Sequence, residues 1–255
     1  MAHARSVSLH FRRIELKYKV PRRIVPFLLS AIRPYVDADP YLIAEGKGRT
    51  DYPLCSLYYD SYDLQAYQEK LAGVLARCKV RLRTYAPFFS ADAPIFLEVK
   101  RRWDLAISKD RFLCPPTVLS TDLRSLRDVV SFLLKKEAGA TELSDELQLL
   151  LHWYNLQSVV LVRYRRCPFV GKHHRRFRIT LDSDIESVWK PAYSPVTPLV
   201  FESCIPHHAV LELKSNLTVP AWFHDIVRQF QLERLSVSKY ALAVQSHLAH
   251  VTPVV

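Results

Sequence analysis

Arg77-Cys78-Lys79-Val80-Arg81-Leu82-Arg83-Thr84-Tyr85 is the stretch whose reading decides the fold. Arg77, Lys79, Arg81 and Arg83 take one side of an extended chain; Cys78, Val80 and Leu82 take the other. A period of two marks a β-strand, because successive side chains leave a pleated backbone on opposite faces. Same-face neighbours sit ~7 Å apart, twice the rise per residue. Like charges at that spacing repel one another and gain nothing unless an anion lies across the row. For one strand alone, a solvated polar face is a sufficient account.

The pattern recurs on both sides of this stretch. Phe11, Arg13, Glu15, Lys17 and Lys19 alternate with Ile14, Leu16, Tyr18 and Val20. Phe96, Glu98, Lys100 and Arg102 alternate with Ile95, Leu97 and Val99. Ser158 to Phe169 begins apolar on both faces and ends in Arg163, Arg165 and Arg166. Arg176, Arg178, Thr180 and Asp182 then alternate with Phe177, Ile179 and Leu181, and Glu212 and Lys214 with Leu211 and Leu213. Leu54 to Asp60 adds a further strand.

Helices are predicted between and around these strands: after Pro21, carrying Ile24, Phe27, Leu28 and Ile32; after a Thr121 cap, through Leu126, Val129, Val130, Leu133 and Leu134; over Glu142 to Tyr154; over Pro220 to Leu232; and from about Ser238. The class is α+β with a predominantly antiparallel sheet. Strands this numerous, polar on one face and apolar on the other, can close into a barrel.

The chain has 255 residues, with five glycines, no repeat and no interdomain linker, so a single domain over about residues 10–250 is expected. It carries 36 basic against 25 acidic residues, a net charge of +11, which makes a polyanion the natural partner. Nucleic acid is not expected, because no helix-turn-helix, RNA-recognition or zinc-finger pattern is present. The five cysteines are scattered and odd in number, as in the reduced core of a cytoplasmic protein. No apolar stretch approaches a membrane span and no signal peptide is visible.

Single carboxylates stand among the bases. Glu15, Glu98 and Glu212 serve either as ion-pair partners or, with phosphate oxygens, as ligands for Mg²⁺ or Mn²⁺. Lys172 to Arg176 reads as a solvated basic hairpin, His207 and His208 as loop residues, and Trp103, Trp153, Trp189 and Trp222 as packing anchors.

Taken in order, RRIELKYKVP (12–21), SLYYDSYDLQAYQEKLAG (56–73), RCKVRLRTY (77–85), FLEVKRR (96–102), SKDR (108–111), VRYRRCPF (162–169), RITLDSDI (178–185), AVLELKSN (209–216) and LSVSKYALAV (235–244) resemble the VTC (vacuolar transporter chaperone) domain. That family is the polyphosphate polymerase branch of the triphosphate tunnel metalloenzymes, which are CYTH-like. The resemblance runs from about residue 10 to 245. It implies a closed antiparallel eight-stranded β-tunnel surrounded by helices. It implies catalytic roles for Lys17, Arg81, Arg83, Lys100, Arg166 and Lys239, and phosphate binding by Lys79, Lys109 and Arg178, with Arg111, Lys214 and Arg102 as weaker candidates. It implies metal coordination by Glu212, with Mn²⁺ or Mg²⁺ as cofactor.

Two departures qualify the resemblance. Tunnel triphosphatases often open with an ExExK strand, whereas this chain reads Arg13-Ile14-Glu15-Leu16-Lys17, which suits the polymerase branch. Some polymerases carry a base three residues before the SKY lysine, where this chain has Ser236. The expected activity is transfer of the ATP γ-phosphoryl to a growing inorganic polyphosphate chain that threads the tunnel, with a separate membrane subunit as a possible partner. Hydrolysis of inorganic or nucleoside triphosphate, and non-catalytic binding of polyphosphate or inositol phosphates, are the alternatives.

Overall fold

The computed structural model of the protein describes residues 8–10, 14–44, 48–104, 106–136, 147–149, 151–152, 155–173, 177–191, 199–216, 218–236 and 238–251. Several expectations fall outside these residues: Phe11 and Arg13, most of the Glu142–Tyr154 helix with Trp153, and the end of the basic hairpin from His174 to Arg176.

The strands are β1 (Ser8–His10), β2 (Ile14–Pro21), β3 (Val36–Ala38), β4 (Tyr52–Asp60), β5 (Ala76–Thr84), β6 (Ile95–Trp103), β7 (Ala106–Cys114), β8 (Gln157–Gly171), β9 (Arg178–Trp189), β10 (Glu202–Ser203), β11 (His208–Ser215) and β12 (Glu233–Arg234). Helices are α1 (Val25–Ile32), α2 (Pro40–Ala44), α3 (Gln65–Leu71), α4 (Leu126–Lys136), α5 (Ala221–Gln229) and α6 (Lys239–Val251). One sheet holds all the strands, in the order β1-β7-β6-β5-β4-β8-β9-β11-β2-β12, with β10 beside β9 and β3 beside β8. Each pairing is antiparallel. Eight of the strands have eight or more residues, which gives the expected number of tunnel walls.

The expected closure is corrected. Among the described residues the ladder is open between the β1–β7 edge and the β2–β12 edge. The physical reason lies in the chain itself. β1 is held on β7 at one edge, and β2, which begins four residues after β1 ends, is held on β11 and β12 at the other. Four extended steps reach at most ~14 Å, which limits the width of the seam there. The sheet is nevertheless strongly curled: Lys100 Nζ on β6 lies 3.6 Å from Glu15 Oε2 on β2, six places away in the strand order.

The apolar faces of the strands point outward and are covered. Val80, Leu82, Ile95, Leu97 and Val99 pack beneath Leu126, Val129, Val130 and Leu133 of α4. On the opposite wall Tyr18, Val20, Ile179, Leu181, Leu211 and Leu213 pack beneath α1 and α5 through Leu28, Ile32, Phe223 and Ile226. A third cluster lies inside: Tyr240, Ala241, Ala243 and Val244 of α6 cover Leu54, Tyr58, Val160, Val162, Ile185 and Val210 on the inner faces of β4, β8, β9 and β11. The interior is therefore shared between a charged channel and this helix.

Local corrections follow from the packing. Pro21 closes β2 ahead of a 3₁₀ turn, and Phe27 on α1 points outward, 67 % exposed. Thr121 does not cap α4; its hydroxyl donates to Val118 O, and Ser125 Oγ accepts from Asp128 N instead. Ser238 caps α6, accepting from Ala241 N. Trp103 is 73 % exposed and lies outside the three buried clusters, whereas Trp222 stacks on Tyr35 and Trp189 packs against His247. All five cysteines are free thiols.

Candidate functional site

Cross-strand register turns the sequence alternation into a constellation. β5 and β6 place Lys79 opposite Lys100, Arg81 opposite Glu98 and Arg83 opposite Phe96; β6 and β7 place Glu98 opposite Arg111 and Lys100 opposite Lys109. Since Val80, Leu82, Leu97 and Val99 are committed to the core beneath α4, these charged partners face the interior.

Glu98 is the hub of this wall, 1 % exposed. Its carboxylate accepts from Arg81 Nε at 2.8 Å, Lys109 Nζ at 2.6 Å and Arg111 Nε at 2.9 Å, with Arg83 Nη1 at 3.8 Å. Burial alone would raise its pKa, but Arg81, Arg83 and Lys109 hold it far below the usual carboxylate range. The same bases are aimed by tyrosines. Arg81 donates to Tyr58 Oη at 2.9 Å, Arg83 to Tyr164 Oη at 3.2 Å and Ser56 Oγ at 3.0 Å, and Arg111 to Tyr85 Oη at 2.8 Å.

The opposite wall has a second hub. Asp182 on β9, fully buried, receives a two-pronged bond from Arg166 at 2.7 and 2.8 Å and pairs with Lys239 at the start of α6. Against its burial, Arg166 and Lys239 keep Asp182 ionised. Glu212 on β11 is held more loosely, with Lys214 Nζ at 3.2 Å and Lys17 Nζ and Arg166 Nη2 at 3.6 Å. α6 reaches across the interior from here, since Ser238 accepts from Lys79 Nζ at 3.1 Å on β5 while its neighbour Lys239 pairs on β9.

Crowding of like charge and burial leaves several lysines easy to deprotonate. Burial, helped by Lys70, Arg77 and Lys100, lowers Lys79 to about 7. Burial also lowers Lys109 to about 7, against the pull of Glu98, and Lys214 to about 8, against that of Glu212. A group in this state gains its proton when an anion arrives.

The structure thus brings together Lys17, Lys79, Arg81, Arg83, Lys100, Lys109, Arg111, Arg166, Lys214, Lys239 and Glu212 on the interior side of the sheet. Arg178 is exposed at the start of β9, in register with Lys214. Arg102 does not join them: it is exposed, and its Nε donates to Asp104 O. Nor do two bases of β8: Arg163 pairs with Glu186 and lies over Phe201, and Arg165 pairs with Asp51. Sequence reasoning gave no role to Asp182 or to Tyr58, Tyr85 and Tyr164. Asp182 was visible in the alternation of β9, but the tyrosines carry no signal short of the cross-strand register.

Glu212 is the carboxylate placed to serve as first ligand to a metal ion. Glu212 keeps its bases at ion-pair distances, and across the strand pair Thr180 Oγ1 is buried with no hydrogen-bond partner. Among the described residues no three His, Cys, Asp or Glu side chains gather at one point. The donor set therefore suits a hard cation that arrives with phosphate oxygens, since Lys17, Lys214 and Arg166 disfavour a bare divalent ion.

The profile of one family, described as the VTC domain, matches residues 12–248. Among curated proteins none matches. Of solved structures, a chain from Hippeastrum, HpAC1, described as a candidate adenylyl cyclase with a dominant triphosphatase activity, is 17 % identical with a TM-score of 0.52, covering 91 % of this chain and 95 % of that one. A candidate adenylate cyclase from Bacillus halodurans is 12 % identical with a TM-score of 0.45, covering 89 % and 96 %. The similarity to HpAC1 is one of fold.

Proposed function

Because this chain belongs to the VTC-domain family, we propose that it is a polyphosphate polymerase, transferring the γ-phosphoryl of ATP to the end of an inorganic polyphosphate chain held in the basic interior. One observation carries this reading: bases from β2, β5, β7, β8, β11 and α6 face one interior space and are held in place by three buried carboxylates, Glu98, Asp182 and Glu212.

Phosphoryl transfer asks a protein mainly for positioning and charge neutralisation. Arg81, Arg83 and Arg111 present planar forks suited to two-point contact with phosphate, and their tyrosine and carboxylate partners fix those forks beforehand. Such preorganised charge lowers the barrier because no dipoles need to reorient as the phosphoryl moves. Lys17, Lys214 and Arg166 neutralise the chain along the opposite wall, Lys100 from β6 and Lys239 from the helix end. Mn²⁺ or Mg²⁺ bound with the nucleotide at Glu212, with Thr180 beside it, would screen the phosphate oxygens. Glu98, Asp182 and Glu212 are all held ionised among bases and serve poorly as general bases for water. A terminal phosphate is already an anionic nucleophile and needs none.

A second reading, hydrolysis of inorganic or nucleoside triphosphate, is favoured by the fold shared with HpAC1. Incubation with ATP and Mn²⁺, followed by a polyacrylamide gel stained for polyanions, separates the two. A ladder of long chains supports the polymerase, free phosphate alone the hydrolase, and unchanged ATP with tight polyphosphate binding a non-catalytic module. ATP and inorganic polyphosphate are the ligands on the first reading. A separate membrane subunit is a further partner on this reading; no helix among the described residues is long and apolar enough to cross a membrane.

A further inference from the structure

Where β4 begins and β5 ends, three tyrosines meet. Tyr41 of α2 stands 5.8 Å from Tyr52 at 73° and 6.4 Å from Tyr85 at 47°, and Tyr52 and Tyr85 are 5.8 Å apart. They border a cavity of about 610 Å³ whose other walls include Arg49, Asp51 and Arg165. This size falls within the range of small-molecule sites, and the lining is more polar than apolar, with the three rings supplying its aromatic part. Tyr41 is 51 % exposed, so its ring is accessible from solvent.

Two of the rings connect the cavity to the phosphate-binding interior. Tyr85 Oη accepts from Arg111 Nη2 at 2.8 Å, and the Arg111 guanidinium lies 4.7 Å above Phe96, itself edge-on to Tyr85. Tyr52 lies directly across the strand pair from Arg166. Burial, partly offset by Arg166, pushes the Tyr52 phenol up to about 12, so it stays neutral beside that base. A ligand with a flat heterocycle at one end and a triphosphate at the other would place its ring in the cavity and its phosphates toward Arg111 and Arg166. An inorganic phosphate chain has nothing to leave there.

We infer that the Tyr41–Tyr52–Tyr85 cavity is the nucleobase subsite of the nucleoside triphosphate donor. The inference rests on the proposed phosphate-binding interior and adds the moiety that the interior does not recognise. Stacking tolerates any base, since each has a π face, so the cavity favours nucleotides over inorganic triphosphate with little selection among them.

The test is isothermal titration calorimetry of the full chain with ATP and, separately, with inorganic triphosphate, for the wild type, Tyr41→Ala and Tyr41→Phe. Tyr41→Ala is expected to weaken ATP about tenfold, the loss of one stacked ring, and to leave inorganic triphosphate unchanged; Tyr41→Phe should restore ATP binding. Equal weakening of both ligands, or no effect on ATP, overturns the subsite while leaving the phosphate site intact. Failure of the wild type to bind either ligand overturns the underlying functional reading and the subsite with it.

Discussion

Glu98 shows how much depends on one carboxylate. Arg81, Lys109 and Arg111 bond to it directly and Arg83 lies just beyond, so it both fixes these bases and limits their mutual repulsion. Glu98→Gln leaves buried cations uncompensated, and thermal unfolding should report a loss of ~3–5 kcal/mol. Added inorganic triphosphate should recover part of that loss, because it supplies the missing negative charge. Arg81→Ala and Arg83→Ala should each weaken triphosphate about 10- to 100-fold, the worth of a charged hydrogen bond of ~1.5–3 kcal/mol. Glu212→Gln should abolish metal-dependent turnover with the circular dichroism spectrum unchanged. The lysines set a pH dependence. Lys79 and Lys109 titrate at about 7 and Lys214 at about 8 in the folded chain, against an unfolded value near 10.5. Between about pH 7 and 10.5 the unfolded chain binds more protons, so the contribution of these groups to ligand-free stability rises with pH, and their full charging cost is present below 7. Phosphate binding has the opposite slope. It takes up protons near pH 8 and weakens toward pH 9, which titrations in buffers of different ionisation enthalpy will detect.

At the scale of elements, period-two alternation was legible wherever one face was charged and the other apolar, as in β2, β5, β6, β9 and β11. β4 and the first half of β8 were less so, because their inner face carries Leu54, Tyr58, Val160 and Val162 for α6 to cover. Both faces of those strands are apolar, and the period disappears. The sequence located α6 near Ser238 and its Lys239, but its seat inside the sheet depends on contacts between segments far apart in the chain. One such contact is the bond from Tyr240 Oη to Asp60, whose carboxylate also accepts from Ala66 N and Tyr67 N at the start of α3. Tyr240→Phe keeps the ring and frees the helix start. If Asp60 positions Lys239 through this bond, turnover falls while affinity for inorganic triphosphate changes less than in Lys239→Ala. On the outer face, Leu82→Ala should cost ~2–5 kcal/mol in denaturant unfolding, since Leu82 is fully buried beneath α4.

For the whole molecule, the alternating strands predicted an antiparallel sheet with a charged concave side, and eight long strands provide it. Closure into a barrel was not legible, because it depends on whether the last edges hydrogen-bond, and among the described residues β1–β7 and β2–β12 remain the two ends of the strand order. The charged faces converge all the same, as the Lys100–Glu15 contact across the interior shows. α6 occupies the side facing β4, β8 and β9, so on the proposed function a lengthening product would follow the charged side of the interior. The central claim is that a phosphate chain lies along that side, between Glu98 with its bases and Glu212 with its own. A crystal structure of the full chain with inorganic triphosphate tests it most directly. The account predicts phosphates within hydrogen-bond distance of Arg81, Arg111 and Lys17, and phosphates bound only on the outer surface, with that interior left empty, would contradict it.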